Sequence, residues 1–236
     1  MEERKLPNKG GLFKQQKKVV RVRLQQLQMN WLKNEHSAAF STLWYYCFFF
    51  GFPRSSHSLV GALLDAHPGA LIAHEQDAFR YIYHGFSREQ LYALLIRNAK
   101  RKARKGRMQT SYHYHLPGQY PGTWDTLRVI GDKKGANTSR WLQAYPWLLA
   151  HLRQTINEPI KAINVIRNPF DNIATIAKRK VKWDVSKVNE TVMRKAVEEY
   201  TFLSQKTLML ESELAKHERL NLYSEELVRQ PRENLK

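Results

Sequence analysis

Along the chain, short unbroken apolar runs alternate with longer stretches in which apolar residues return every three or four positions. The first unbroken run, 43–50, reads Leu-Trp-Tyr-Tyr-Cys-Phe-Phe-Phe and leaves no polar position for solvent. That pattern predicts a strand buried on both faces. Turn-forming residues at 51–58 break it, after which Leu59, Leu63 and Leu64 recur at helical spacing, with a stop expected near His67 and Pro68. Further short strands are predicted at 71–75, 127–130, 160–166 and 220–223, with 131–135 read as the turn that closes the strand at 127–130. Helices are predicted over 88–105, over 139–153 with an interruption at Pro146, from the segment 167–171 through Lys180, and over 188–217. Residues 111–123 read as loop. Strands alternating with helices predict a three-layer α/β domain, a mostly parallel sheet with helices on both faces.

The first 36 residues have a different character. They are basic and Gln-rich, with Lys14, Lys17, Lys18, Arg21 and Arg23 close together, and the globular domain is expected over 37–236. Leu24, Leu27, Trp31 and Leu32 fall at helical spacing, which predicts an amphipathic helix. Its apolar stripe is expected to dock on the domain; the competing reading is an arm that touches a membrane surface or nucleic acid.

Composition narrows the class. A chain of 236 residues with 42% hydrophobic residues is long enough and apolar enough for one α/β domain with its own core. The formal charge of +18 suits an anionic partner: an acidic polymer, nucleic acid, a membrane surface or a phosphorylated ligand. The single cysteine, Cys47, excludes an intramolecular disulfide and a cysteine-built zinc site, and its aromatic neighbours predict a buried structural thiol. The nine histidines show no zinc-helix spacing, and no carboxylate cluster suggests magnesium, so no metal is expected. The basic start lacks the compact apolar core of a secretory signal, and the apolar stretch 38–52 is too short for an ordinary span. A cytoplasmic location is expected, with peripheral membrane contact through the basic segments as a further expectation.

A parallel sheet gathers ligands at the carboxyl ends of its strands, and a loop that opens a helix there presents free N–H groups to an anion. The loop 51–58 has that place and adds Arg54 with three hydroxyls, Ser55, Ser56 and Ser58. It lacks the Lys followed by Ser or Thr of nucleotide-triphosphate loops, which argues against an ordinary ATPase or kinase. Arg167, leaving the strand at 160–166, is placed to fork onto phosphate oxygens, and Thr175 on the next helix adds a hydroxyl. Arg167 serving only to cap or pair within the fold is the alternative.

The run Gly51-Phe-Pro-Arg-Ser-Ser-His-Ser-Leu, continuing to Leu63-Leu-Asp-Ala-His-Pro68, resembles the 5′-phosphosulfate loop of sulfotransferases. In the carbohydrate- and tyrosine-modifying branches that loop reads Pro-Arg-Ser-Gly-Thr/Ser-Thr-Leu, followed by Leu-Leu-Asp-Ala-His-Pro. Two positions depart from it: Ser56 stands for the Gly and restricts the turn, and His57 stands for the first Thr or Ser, bringing either a further donor or an obstruction. Arg167-Asn-Pro with Thr175 resembles the family's 3′-phosphate segment. Gly131-Asp-Lys resembles its strand-end segment, and the stretch from Leu222 to Pro231 resembles its late Tyr-Glu-Asp-Leu-Val-x-x-Pro segment.

The resemblance implies the P-loop-like sulfotransferase fold and 3′-phosphoadenosine 5′-phosphosulfate (PAPS) as sulfonyl donor. It implies a donor site of Arg54, Ser55, Ser56, His57, Ser58, Leu59, Arg167 and Thr175, with Arg54 in the catalytic basic position. Glu75 falls where the tyrosine-modifying branch carries its catalytic glutamate; His74 and His115 are second choices for the base because imidazole titrates near neutrality. The expected acceptor bears a hydroxyl or amine, as a carbohydrate or other small molecule does. The alternatives are a nucleotide-binding relative without turnover and a basic module that holds nucleic acid or another polyanion.

Overall fold

In the computed structural model, residues 9–106, 108–109, 112–114, 119–230 and 233 are described. The chain opens with helices α1 (Lys9–Leu32) and α2 (Ser37–Phe40), then strand β1 (Tyr45–Phe50), α3 (His57–Asp65) and β2 (Ala70–His74). Next come α4 (Ala78–Tyr83), α5 (Arg88–Arg104) and a two-residue antiparallel pair, β3 (Met108–Gln109) with β4 (Tyr112–His113). Strand β5 (Val129–Lys133), α6 (Ala136–Ala144), α7 (Trp147–Ile156), β6 (Ile160–Ile166) and α8 (Pro169–Lys180) follow. The chain continues through α9 (Glu190–Glu213), β7 (Arg219–Tyr223) and α10 (Ser224–Arg229).

The main sheet has the order β2-β5-β1-β6-β7, and all four pairings are parallel. Central β1 shows why the aromatic run became a strand: side chains 46–50 are each at most 2% exposed. Tyr46, Phe48 and Phe50 enter one core with residues of α1, α4, α5 and α7, whereas Cys47 and Phe49 enter the other with Val60 and Leu227. Fully burying one such phenylalanine stabilises by roughly 1.5–3 kcal/mol, so the alternation holds helical layers to both faces at once. The Cys47 thiol is buried, and burial, with buried Asp132 nearby, pushes it up to about 12.

Three sequence expectations change. The segment 131–135 is not simply a turn: β5 runs through Gly131 and Asp132 to Lys133. A Cβ on Gly131 would lie 2.1 Å from the Cys47 carbonyl oxygen, so this glycine lets neighbouring strands approach and marks no turn. The loop read at 111–123 contains β4, and the short helix α4 was not anticipated. The third change concerns α1. Leu24, Leu27 and Trp31, expected to dock, face solvent, while Val22 and Met29 on the opposite side enter the core. Helical spacing alone does not say which of two apolar lines faces inward.

Candidate functional site

At the carboxyl end of β1 the chain turns sharply. Gly51 has φ +99°, and a Cβ there would lie 2.2 Å from Asn164 Oδ1 on β6, so only glycine fits this crossing. Its N–H donates to Ser139 Oγ at 2.9 Å. Two further residues, Arg54 (φ 65°) and Ser56 (φ 69°), are left-handed, a conformation that costs a side-chain-bearing residue roughly 1–2 kcal/mol. Ser56 is the N-cap of α3 without a side-chain cap bond, and its hydroxyl pairs with Ser224 Oγ at 2.8 Å. The Leu59 and Val60 N–H groups donate to the Ser56 carbonyl at 3.0 and 3.2 Å, which leaves the N–H groups of His57 and Ser58 at the start of α3 without an acceptor inside the helix. They and the positive end of the helix dipole mark the anion position of the loop.

The other side chains after Arg54 have separate fates. Ser55 is fully buried and donates to the Phe52 carbonyl at 2.9 Å. His57 turns inward instead of toward the loop: Nε2 lies 2.9 Å from the Phe50 carbonyl, to which it donates, and the ring meets Phe49 edge-on. Burial first, and the Lys133 charge second, push this imidazole down to about 3, so it is neutral at physiological pH. Ser58 faces Lys133, and Leu59 packs, partly buried, against the smaller core.

Lys133 is the residue that the sequence reading passed over. It ends β5, is 3% exposed, and donates to Ser58 Oγ at 3.0 Å and to Glu75 Oε1 at 3.1 Å. His74 Nε2 lies 3.5 Å from the same ammonium. Burial lowers the Lys133 pKa, with Glu75 opposing. Glu75 feels the reverse: partial burial works upward, but Lys133 and then Lys134 outweigh it and hold the carboxyl below its usual range. His74 is driven down to about 3, by burial first and Lys133 second. Only one signal for Lys133 existed in the sequence, the Gly131-Asp-Lys segment, and reading Gly131 as a turn hid it.

Glu75 is held by its neighbours' backbone. It has φ 52°, its N–H donates to the Lys133 carbonyl at 2.9 Å, and its side chain is 51% exposed. Buried Asp132 clamps the next residues, accepting from the N–H groups of Gln76 (3.0 Å) and Ala78 (2.9 Å). Burial nevertheless raises its carboxyl to about 6. Asp77 Oδ1 accepts from Asn137 Nδ2 at 2.6 Å, which ties the segment to α6.

On the other side of β1, Arg167 follows β6 and donates through Nη1 to the Arg54 carbonyl at 3.2 Å and to Thr175 Oγ1 at 3.4 Å. Thr175 in turn donates to the Asp171 carbonyl at 2.7 Å. The Arg54 guanidinium lies over the Trp183 ring, 5.2 Å from its centroid. The fold thus gathers Arg54, Ser55, Ser56, Ser58, Glu75, Arg167 and Thr175 at one edge of the sheet, with Lys133 between them. The His57 side chain is in the core beneath, and His115 lies outside the described residues. No group of three or more metal-ligating side chains occurs among the described residues.

No protein-family model matches the chain, and no curated protein matches it. Three solved structures resemble it at low identity. The sulfotransferase domain of the Synechococcus PCC 7002 olefin synthase is 17% identical, with a TM-score of 0.48 over 82% of this chain and 71% of that one. The sulfotransferase domain from the curacin biosynthetic pathway is 18% identical, with a TM-score of 0.47 over the same shares, 82% and 71%. Sulfotransferase STF9 from Mycobacterium avium is 14% identical, with a TM-score of 0.45 over 89% of this chain and 66% of that one. A function for this chain has to come from its own loop and the charges around it.

Proposed function

We propose that the chain is a sulfotransferase that moves a sulfonyl group from PAPS to a hydroxyl or amine acceptor. One observation carries this reading. A buried ammonium, Lys133, touches both a hydroxyl of the anion-type loop and a half-exposed carboxylate, Ser58 and Glu75. A cation and a base held side by side are what transfer from an anionic donor to a protic acceptor requires. The residues fit such a donor. The loop N–H groups, Ser58 and Arg54 would hold the 5′-phosphosulfate, and Arg167 with Thr175 would hold the 3′-phosphate. The donor supplies a sulfonyl group on a phosphate oxygen, a leaving group that departs as an anion.

The residues then divide the work. As the acceptor oxygen bonds to sulfur, the bond from sulfur to the bridging oxygen breaks and its electron pair stays on phosphate. Lys133 and Arg54 stabilise that charge, and Glu75 takes the acceptor proton. In the structure described, the ion pair with Lys133 keeps Glu75 ionised, ready to accept a proton but weakly basic. Turning the ammonium toward the leaving oxygen would remove the main charge that depresses Glu75 and raise its basicity when a base is needed.

The deciding experiment is calorimetric titration with 3′-phosphoadenosine 5′-phosphate beside ATP and AMP, followed by transfer from radiolabelled PAPS across a panel of carbohydrate and small-alcohol acceptors. Selective binding that is lost in Arg167→Ala, together with labelled product, supports the reading. Equal binding of all three nucleotides would reduce the site to a basic surface. Selective binding without turnover would leave a nucleotide-binding relative.

A further inference from the structure

Helix α1 has two apolar lines, and the fold uses one. Val22 and Met29 are 1% and 0% exposed, while Gln25 and Gln26 bond to Tyr81 and Gly85 of the domain. The outward line consists of Val20, Leu24, Leu27 and Trp31, exposed by 57%, 56%, 65% and 81%. Their spacing of four, three and four residues keeps them on one side of the helix, over a length of about 17 Å at ~1.5 Å per residue. Single exposed apolar side chains are ordinary, but a continuous line of four marks an interaction surface.

Its borders are cationic. Arg21 and Arg23 flank the line on α1 itself, and the neighbouring α5 adds Arg97 and Arg101; Arg97 Nη1 donates to Gln28 Oε1 at 3.1 Å. The span Lys9–Leu32 has no acidic residue at all. Those charges select the occupant. A second copy of the helix would bring the same cations against these. Nucleic acid would use the arginines but has no use for leucines and a tryptophan aimed at solvent. A bilayer with anionic headgroups uses both, arginines at the headgroups and the apolar line at the acyl boundary, with tryptophan at the depth it favours. Among the described residues no helix is long and apolar enough to cross a membrane, so the geometry is that of a helix lying in the surface.

We propose that the outward face of α1 is a docking surface for an anionic lipid bilayer, with the helix parallel to the membrane plane. The proposal stands independently of the transfer reaction. The test is co-sedimentation of the full chain with vesicles of phosphatidylcholine alone or with about a third phosphatidylserine. Partition onto the anionic vesicles should be at least about tenfold stronger than onto neutral ones, and should weaken from about 0.1 to about 0.5 M NaCl. The pair Leu24→Ser and Leu27→Ser should lower it at least about tenfold, and Arg21→Gln or Arg23→Gln roughly fivefold each. All four side chains are solvent-facing, and unchanged circular dichroism and melting would show that the variants fold. Absence of partition would overturn the proposal, as would partition indifferent to the leucine pair, which would reflect net charge alone. A concentration-dependent dimer abolished by the leucine pair, without vesicle binding, would assign the face to a second copy and overturn it too.

Discussion

Lys133→Met separates catalysis from stability more cleanly than any other change at this site. Methionine keeps most of the buried stem of the lysine and removes only the ammonium. At ~3 Å, unit charges interact by about 5 kcal/mol at an effective dielectric near 20, against about 1.4 kcal/mol in water. Lys133 is 3% exposed, so the first figure is the better guide. If roughly half a charge develops on the leaving oxygen, loss of the ammonium removes about 2.5 kcal/mol of transition-state stabilisation, near 10²-fold in rate. The stability ledger runs the other way. Burying a lone ammonium is costly, and apolar replacement of a buried ionic group is often neutral or favourable. Removing one partner of a buried pair usually strands the other, but Glu75 is 51% exposed and has Lys134 Nζ 3.7 Å away. The melting temperature should therefore move by no more than about 4 °C, corresponding to about 1 kcal/mol. Single-turnover transfer from radiolabelled PAPS and a thermal melt measure the two halves. Transfer within threefold of the parent protein would refute the role of Lys133. Loss of folding along with activity would show the lysine to be structural.

Four further outcomes follow. Glu75→Gln should reduce turnover by roughly 10²–10⁴ while leaving 3′-phosphoadenosine 5′-phosphate affinity within a few-fold, measured by transfer kinetics and calorimetry; equal losses in both would make Glu75 a structural partner. Arg167→Ala should weaken nucleotide binding by about 1.5–3 kcal/mol in the same titration and leave AMP, which lacks the 3′-phosphate, nearly unaffected. Ser56→Gly relieves a left-handed residue by roughly 1–2 kcal/mol but loses the Ser224 bond and gains unfolded-state freedom, so denaturant stability should change by less than about 1 kcal/mol. A loss of several kcal/mol would mean that the serine shapes the loop. His57 has a folded pKa far below the unfolded value, so its contribution is full above about pH 6.5 and is lost as pH falls toward about 3. His57→Gln should flatten the stability-versus-pH slope between about pH 4 and 6 by nearly 1.4 kcal/mol per pH unit, and an unchanged slope would place the acid sensitivity elsewhere.

How much of this was legible in the sequence depended on which physical rule governed each segment. Strands buried on both faces advertise themselves as apolar runs, so β1, an unbroken run, was legible to within two residues, and β6 matches its predicted span 160–166 although Lys161 and Asn164 interrupt its apolar residues. The loop at 51–58 was legible because turn residues, a cation and hydroxyls follow a buried strand. Gly131 misled because glycine has two uses, a permissive turn and a close approach; only the neighbouring strand, with the Cys47 carbonyl against it, distinguishes them. The same error concealed Lys133, whose significance lies in two partners 58 and 75 residues away in sequence. His57 is the opposite case. Its place in the motif suggested a ligand contact, but a ring beside Phe49 that bonds the Phe50 carbonyl is a core residue, and no local pattern shows which way a side chain turns at a helix start.

Four of the positions that break local backbone rules are concentrated at one place. Seven left-handed residues bearing side chains occur among the described residues. Asn157 caps α7, and Lys182 and Trp183 follow α8, where the Trp183 ring lies beneath the Arg54 guanidinium. The other four, Arg54, Ser56, Glu75 and Asp77, lie at the carboxyl edge of β1 and β2. A nearly inaccessible lysine lies between them, beside a histidine held neutral and a carboxylate held ionised. Each feature alone costs stability: backbone strain of roughly 1–2 kcal/mol per residue, and desolvation of a charge. Regular features are also present in the described fold, among them apolar strands inside and a full capping box at Ser87 on α5. Natural sequences tolerate such violations chiefly where geometry must be held for chemistry. Here four of the seven left-handed residues flank one buried ammonium and its carboxylate partner. A protein that only displayed positive charge to a polyanion would need neither the strained loop nor the buried lysine, since exposed cations on regular helices would serve. Under the proposed reading, the internal placement of Lys133 is the feature that would separate a transfer site from a basic surface.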